Sequence, residues 1–177
     1  MRKEAHIVKY DSDFKEIWKG NYGDFPGGSN QYTGMKSDPA LVIDECWGVA
    51  SMKAADGSHD GYAIACGTGI ENCTDPMSPE TKARCDKDPR INWRNLVIAF
   101  SEEGQPKWAR MDNHQGIDPK PADPTKPNKV SSSAAEYIFL KKDGSLGVIT
   151  DETYGMGFMT IAQPNGQQCP TVPQYFG

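Results

Sequence analysis

NLVIAFSEEGQPKWARMD, residues 95–112, is the stretch whose reading decides the fold. Leu96-Val97-Ile98-Ala99-Phe100 is a continuous apolar run. Ser101-Glu102-Glu103-Gly104 follows with turn chemistry, and a mixed segment carrying Lys107, Trp108 and Arg110 closes it. Two strands joined by a tight, Gly-containing turn are the expectation. Ninety positions earlier the pattern recurs as HIVKYDSDFKEIWKGNYGD, residues 6–24, with Tyr10 at the place of Phe100 and Trp18 at the place of Trp108.

Working outward, the same punctuation appears twice more. WGVASMKAA, the turn Asp56-Gly57-Ser58 and GYAIACGTG read as strand, turn, strand. SSAAEYIFLKK, the turn Asp143-Gly144-Ser145 and LGVITDE read likewise, and YGMGFMTIAQPNGQQC repeats strand, turn, strand with Asn165-Gly166 as its turn. Helical periodicity is nearly absent, so the chain reads as all-β. GDFPGGSNQYTGMKSDP is a loop by composition. Two long insertions interrupt the strands. In 68–94, Ser78 can cap a single helical turn over Thr81–Cys85. In 117–130, four prolines favour an extended surface loop.

Parity separates the architectures. A sheet wet on one side alternates apolar and polar residues, whereas one covered on both sides is apolar throughout. Leu96–Phe100, Tyr62–Cys66 and Tyr137–Leu140 are apolar at both parities, and Gly157–Ile161 nearly so, while the strands of Trp18 and Trp108 are mixed. Small sheets with buried inner and wetter outer strands, each covered by a neighbour, are expected rather than a two-layer sandwich.

The motif carried by Asp60, Gly61, Tyr62 and Gly67, followed by Leu96–Phe100, Gly104 and Trp108, resembles the repeat of β-propeller proteins. The resemblance covers about two thirds of the chain and departs from the pattern where Cys169-Pro170 stands near the third expected tryptophan. It implies antiparallel blades within a single domain over 1–177: a partial blade at 6–22, a blade at 46–112 containing the 68–94 insertion, and a blade at 131–170. Two to three blades cannot close a ring that takes four to eight. The resemblance therefore implies either a fragment of a longer propeller or an incomplete one finished by other subunits or by copies of the same chain, with a self-closing small barrel as the alternative, and it assigns Tyr10, Trp18, Tyr62, Phe100 and Trp108 to packing between repeats.

Composition bounds the rest. The chain has 177 residues, a net charge of −5 and a mean hydropathy of −0.66, so it lacks the cationic footprint of a nucleic-acid-binding surface. No run approaches the roughly 20 apolar residues of a membrane span, and the start shows no secretory h-region. Cys46, Cys66, Cys73, Cys85 and Cys169 lack C-x-x-C spacing. Disulfides are thus expected over zinc, with Cys73–Cys85 the candidate bridge and an extracellular or lumenal location implied. Asn72-Cys73-Thr74 fits the glycosylation acceptor pattern.

No residue passes as catalytic, and no cofactor or metal is expected. His6, His59 and His114 read as surface residues. Asp11, Asp13 and Glu16 lack the glycine and distal glutamate of a calcium loop. Asp56, Asp60, Asp143 and Asp151 read as turn acids before they read as a glycosidase pair. Ser131–Ser133 lacks a nucleophile elbow, and neither Gly27-Gly28 nor Gly155-Met156-Gly157 is a phosphate loop. The expected function is a non-enzymatic structural or protein-interaction component using blade edges and the loops at 68–94 and 113–130. The alternative is a carbohydrate- or small-ligand-binding module, or part of a secreted hydrolase or quinoprotein, with Trp47 and Trp93 among the aromatics that could line a site.

Overall fold

A computed structural model describes residues 6–21, 43–69, 93–112, 133–152, 155–163, 166–167 and 174–176, together with Pro79 and Ala83. Among the described residues, ten strands form three antiparallel sheets. The first pairs β1 (His6–Tyr10) with β2 (Glu16–Asn21). The central sheet runs β3 (Ile43–Lys53), β4 (His59–Gly69), β5 (Arg94–Phe100), β6 (Pro106–Asp112) in chain order. The third runs β7 (Ser133–Leu140), β8 (Leu146–Glu152), β9 (Gly155–Ile161), β10 (Gln174–Phe176). Each sheet joins strands that follow one another in the chain, and none closes into a barrel.

The uniform apolar runs have the consequence that parity dictates. Every residue of β5 is buried, because its two faces feed two cores. Ala63, Ala65, Val97, Ala99 and Trp108 face the third sheet, where Ile138, Leu146, Val148, Met159 and Ile161 meet them. Ile64, Cys66, Leu96, Ile98 and Phe100 face the other way, against Ile7 and Trp18 of the first sheet. The central sheet is therefore the middle layer of three. Alanines at positions 63, 65 and 99 let β7 lie close against it. At Gly48 in β3 even a methyl group would lie 3.1 Å from the Ile138 backbone nitrogen.

Four hairpin turns share one hydrogen-bond pattern. In each, residue X donates its N–H to the carbonyl of X+4 and accepts from the N–H of X+3, with X being Asp11, Ala54, Ser101 and Lys141. This is a three-residue loop whose last residue adopts a left-handed conformation, which favours glycine. Gly57, Gly104 and Gly144 fill that place at φ of 85°, 80° and 81°. In the first hairpin the residue is Phe14, at φ 60°. The turn before β10 is one residue longer, with Gly166 at φ 67°.

Three expectations need correction. The 68–94 insertion is shorter at both ends, since Thr68 and Gly69 extend β4 and Arg94 opens β5. The third unit, expected to end at 170, extends to β10, whose Gln174 lies opposite Phe158. Asp60 and Asp151 lie in β4 and β8 rather than in turns, and His59 is the first residue of β4.

Candidate interaction surface

Two tryptophans fasten the layers, and they do it in the same way. Trp18 in β2 reaches across to the turn of the central sheet, where its Nε1–H donates to the Glu102 carbonyl at 2.9 Å. Its ring covers Gly104 so closely that a Cβ there would lie 2.9 Å from it. One layer on, Trp108 in β6 reaches the turn of the third sheet. Its Nε1–H donates to the Gln163 carbonyl at 2.6 Å, and a Cβ at Gly166 would lie 2.6 Å from its ring. Glycine is required at each receiving turn twice over, by the sign of φ and by the indole seated on it.

The other repeat residues complete the contact. Trp18 meets Phe100 edge-on, with ring centroids 5.7 Å apart, and Tyr62 lies 5.8 Å from Phe100. Tyr10, placed in the first sheet as Phe100 is in the central one, is instead 52% exposed, against 1% for Phe100. Both aromatics point away from the following layer. Phe100 is covered because the first sheet precedes it, and among the described residues nothing precedes Tyr10.

At this first seam a polar latch closes the rim. Glu102 receives Lys9 on one carboxylate oxygen and has His59 Nε2 against the other. Ser51 Oγ lies 2.9 Å from His59 Nδ1, and Lys9 Nζ stands 5.4 Å from the Tyr62 ring centroid. The Lys9 hydrogen bond, aided by Tyr62 and His59 against some desolvation, holds the Glu102 carboxyl below the usual carboxylate range, while Glu102 raises Lys9. Lys9 of the first sheet reaches across the boundary to Glu102, while His59 and Ser51 hold Glu102 from within the central sheet. Exposed pairs of this kind contribute about 0.2–1 kcal/mol.

The outward faces at the two ends of the stack are the candidate surface. On the third sheet, Tyr137, Ile149 and Phe158 stand in one row across β7, β8 and β9, with Met156 beside them. Phe139 lies over Gly147 and stacks on Phe158 at 6.2 Å. Tyr137 is 56% exposed and Met156 53%. Burial and the neighbouring charges of Asp151 and Glu45 push the carboxyl of Glu136, beside Tyr137, above its ordinary range. On the first sheet, Tyr10 and Ile17 are exposed, and Phe14 is 86% exposed at the turn. Large apolar side chains gathered on an open sheet face mark interaction sites.

The remaining candidates divide plainly. Asp56 and Asp143 do set backbone geometry, accepting from Ser58 N–H at 2.9 Å and Ser145 N–H at 3.0 Å. The Ser145 hydroxyl, the Ser145 N–H and Lys141 hold Asp143 at about 2. Asp60 pairs with Lys107 at 2.6 Å, and Asp11 accepts from the Asp13 and Lys15 N–H groups at 2.9 Å. Trp93 is buried over Gly67 and meets the exposed Trp47 edge-on at 6.3 Å. Cys46 and Cys66, opposite one another on β3 and β4, form a disulfide. Their pairing is invisible in the spacing, since it depends on the register of a bulged ladder. Cys73, Cys85, Asn72, His114, Gly27-Gly28, Ser131-Ser132 and the Ser78 cap lie outside the described residues, and of the 70–92 stretch only Pro79 and Ala83 are described, both helical.

Among the described residues, no group of His, Cys, Asp and Glu is placed to hold a metal, and no helix is long and apolar enough to cross a membrane. No protein-family model matches the chain, and a search of curated proteins finds no match.

Proposed function

We propose that this chain is a non-enzymatic structural component, built of propeller-type blades, within a larger extracellular or lumenal assembly. Its open ends are covered by other protein subunits or by further copies of itself. The observation that carries this reading is the contrast between Phe100 and Tyr10. These are equivalent aromatics on equivalent strands, one dry beneath a layer and one exposed where the described layers end. Stacked repeats bury their apolar faces on neighbours, and a terminal face without one exposes them. The twice-used indole dock and the four alike turns support repetition of one unit. The Cys46–Cys66 disulfide supports an oxidising compartment, since such bonds persist outside the reducing cytosol.

The alternative is a carbohydrate- or small-ligand-binding module, for which the exposed Trp47 is the specific residue. Light-scattering mass, combined with saccharide titration followed by tryptophan fluorescence, separates the two. A particle heavier than the 19.5 kDa chain and an unresponsive fluorescence spectrum are expected. A monomer whose fluorescence saturates with a saccharide, and loses the response in a Trp47→Ala variant, overturns the structural reading.

A further inference from the structure

We infer that the seam between the first and central sheets is an acid-operated joint. Protonating Glu102 turns the contact of Lys9 with His59 from attraction through a shared carboxylate into repulsion across the seam, while the seam between the central and third sheets holds. Both seams lie within the described residues, whatever covers the outer faces. One position of the repeat is used at each. Glu102 and Gln163 are the first loop residues of the two receiving turns, and their carbonyls take the indoles of Trp18 and Trp108.

The side chains at that position differ in kind. Gln163 is neutral and buried. Its Oε1 accepts the Lys53 N–H of β3 at 2.8 Å, and its Nε2 donates to the Gly144 carbonyl, so neither bond involves a group that titrates. Glu102 instead holds Lys9 of β1 on one oxygen and His59 of β4 on the other. The charged groups on the elements around it are engaged elsewhere. Glu103 accepts from the Ser101 hydroxyl at 2.8 Å, Asp60 of β4 pairs with Lys107 of β6 at 2.6 Å, and Lys19 of β2 pairs with Glu16 at 3.3 Å. Tyr62 of β4 supports both Lys9 and Glu102.

The charge balance across the seam reverses with one proton. Lys9, then Tyr62 and His59, hold the Glu102 carboxyl below its ordinary range against some desolvation. Its contribution is therefore present above the ordinary carboxylate pKa and lost as the pH falls through the lowered one. Imidazoles are cationic at that acidity. What remains is a cation on the first sheet and a cation on the central sheet, facing a neutral carboxyl. At the other seam acid acts differently. Asp143, which fixes the Gly144 turn, keeps its charge down to about 2. Glu136, pushed up by burial and by the charges of Asp151 and Glu45, gains stability from protonation. Opening the first seam alone bares Ile64, Leu96, Ile98 and Phe100, the apolar face that Ile7 and Trp18 otherwise cover.

Urea titration of the full chain labelled with fluorotryptophan, followed by fluorine NMR, reads the two seams separately through Trp18 and Trp108. Trp18→Phe and Trp108→Phe assign the signals. On going from pH ~7 to pH ~3, the open-to-closed ratio at Trp18 is expected to rise about fivefold more than at Trp108, so that Trp18 is released at lower urea. Lys9→Gln removes the cation of the first sheet and should abolish that extra acid sensitivity. Glu102→Gln, which makes the first seam resemble the second but leaves His59 facing Lys9, should move the step up into the imidazole range. Coincident Trp18 and Trp108 transitions at pH ~3, a Lys9→Gln variant that keeps the acid-induced gap, or a Glu102→Gln variant whose step stays in the carboxylate range each overturns the acid-operated joint.

Discussion

Replacing Trp108 with alanine is expected to destabilise the protein by about 3–5 kcal/mol, the range for deleting a large buried aromatic. At this chain length that corresponds to a fall in Tm of about 10 °C. The indole lies in the core between the central and third sheets, seals Gly166 and donates to the Gln163 carbonyl. Its removal opens a cavity, strands a carbonyl and loosens the third layer together. Trp108→Phe keeps most of the volume and loses the hydrogen bond, so its cost should be nearer 1 kcal/mol plus a packing remainder. Trp18→Ala should cost less than Trp108→Ala, because Trp18 is only half buried. Urea unfolding of the three variants gives the order directly. If Trp108→Ala unfolds at the wild-type midpoint, the indole is not what joins these layers.

Gly61→Ala should be the most damaging single methyl group in the described chain. Gly61 has φ of +99°, and an added Cβ would lie 2.1 Å from the Phe100 carbonyl oxygen and 2.8 Å from the Ser101 Cα. The left-handed conformation alone costs a side chain about 1–2 kcal/mol, and forcing the β4–β5 ladder apart adds about 1–3 kcal/mol. A loss near 3 kcal/mol is expected. Gly57 provides the internal comparison. Its φ is +85°, but a Cβ there meets nothing within 4 Å, so Gly57→Ala should cost only the conformational part. Thermal melts of the two variants read the difference, and equal losses would show that close backbone approach at Gly61 has no part in the effect.

How far the sequence reached can be judged residue by residue. The layered architecture was legible because parity is a local property: Leu96–Phe100 is apolar on both sides, and both sides are covered. The glycine turns were legible because left-handed conformations favour a residue type that can be seen. Even the exception could have been found, since aligning Tyr10 with Phe100 places Phe14 opposite Gly104, a ring opposite a required glycine. The Cys46–Cys66 bond was not legible, because it depends on a bulge between Cys46 and Gly48 that fixes which residues of β3 and β4 face each other. Nor was the location of β10, since three residues leave too short a pattern to read. Tyr137–Leu140 shows the limit most clearly. Its double-sided apolar pattern calls for two covers, and the described chain supplies one, on the side of Ile138. Sequence records that a face is meant to be dry but not whose surface dries it.

Hydroxyl-radical footprinting of the protein in dilute and in assembled form puts that question to individual side chains. The account predicts that Tyr10, Phe14, Tyr137 and Met156 react in the dilute chain and become protected on assembly, whereas Phe100 and Trp108 are protected in both states. Unchanged reactivity of Tyr10 and Tyr137 in the assembled particle would contradict it, because the end faces of the stack would then remain wet in the very state proposed to cover them.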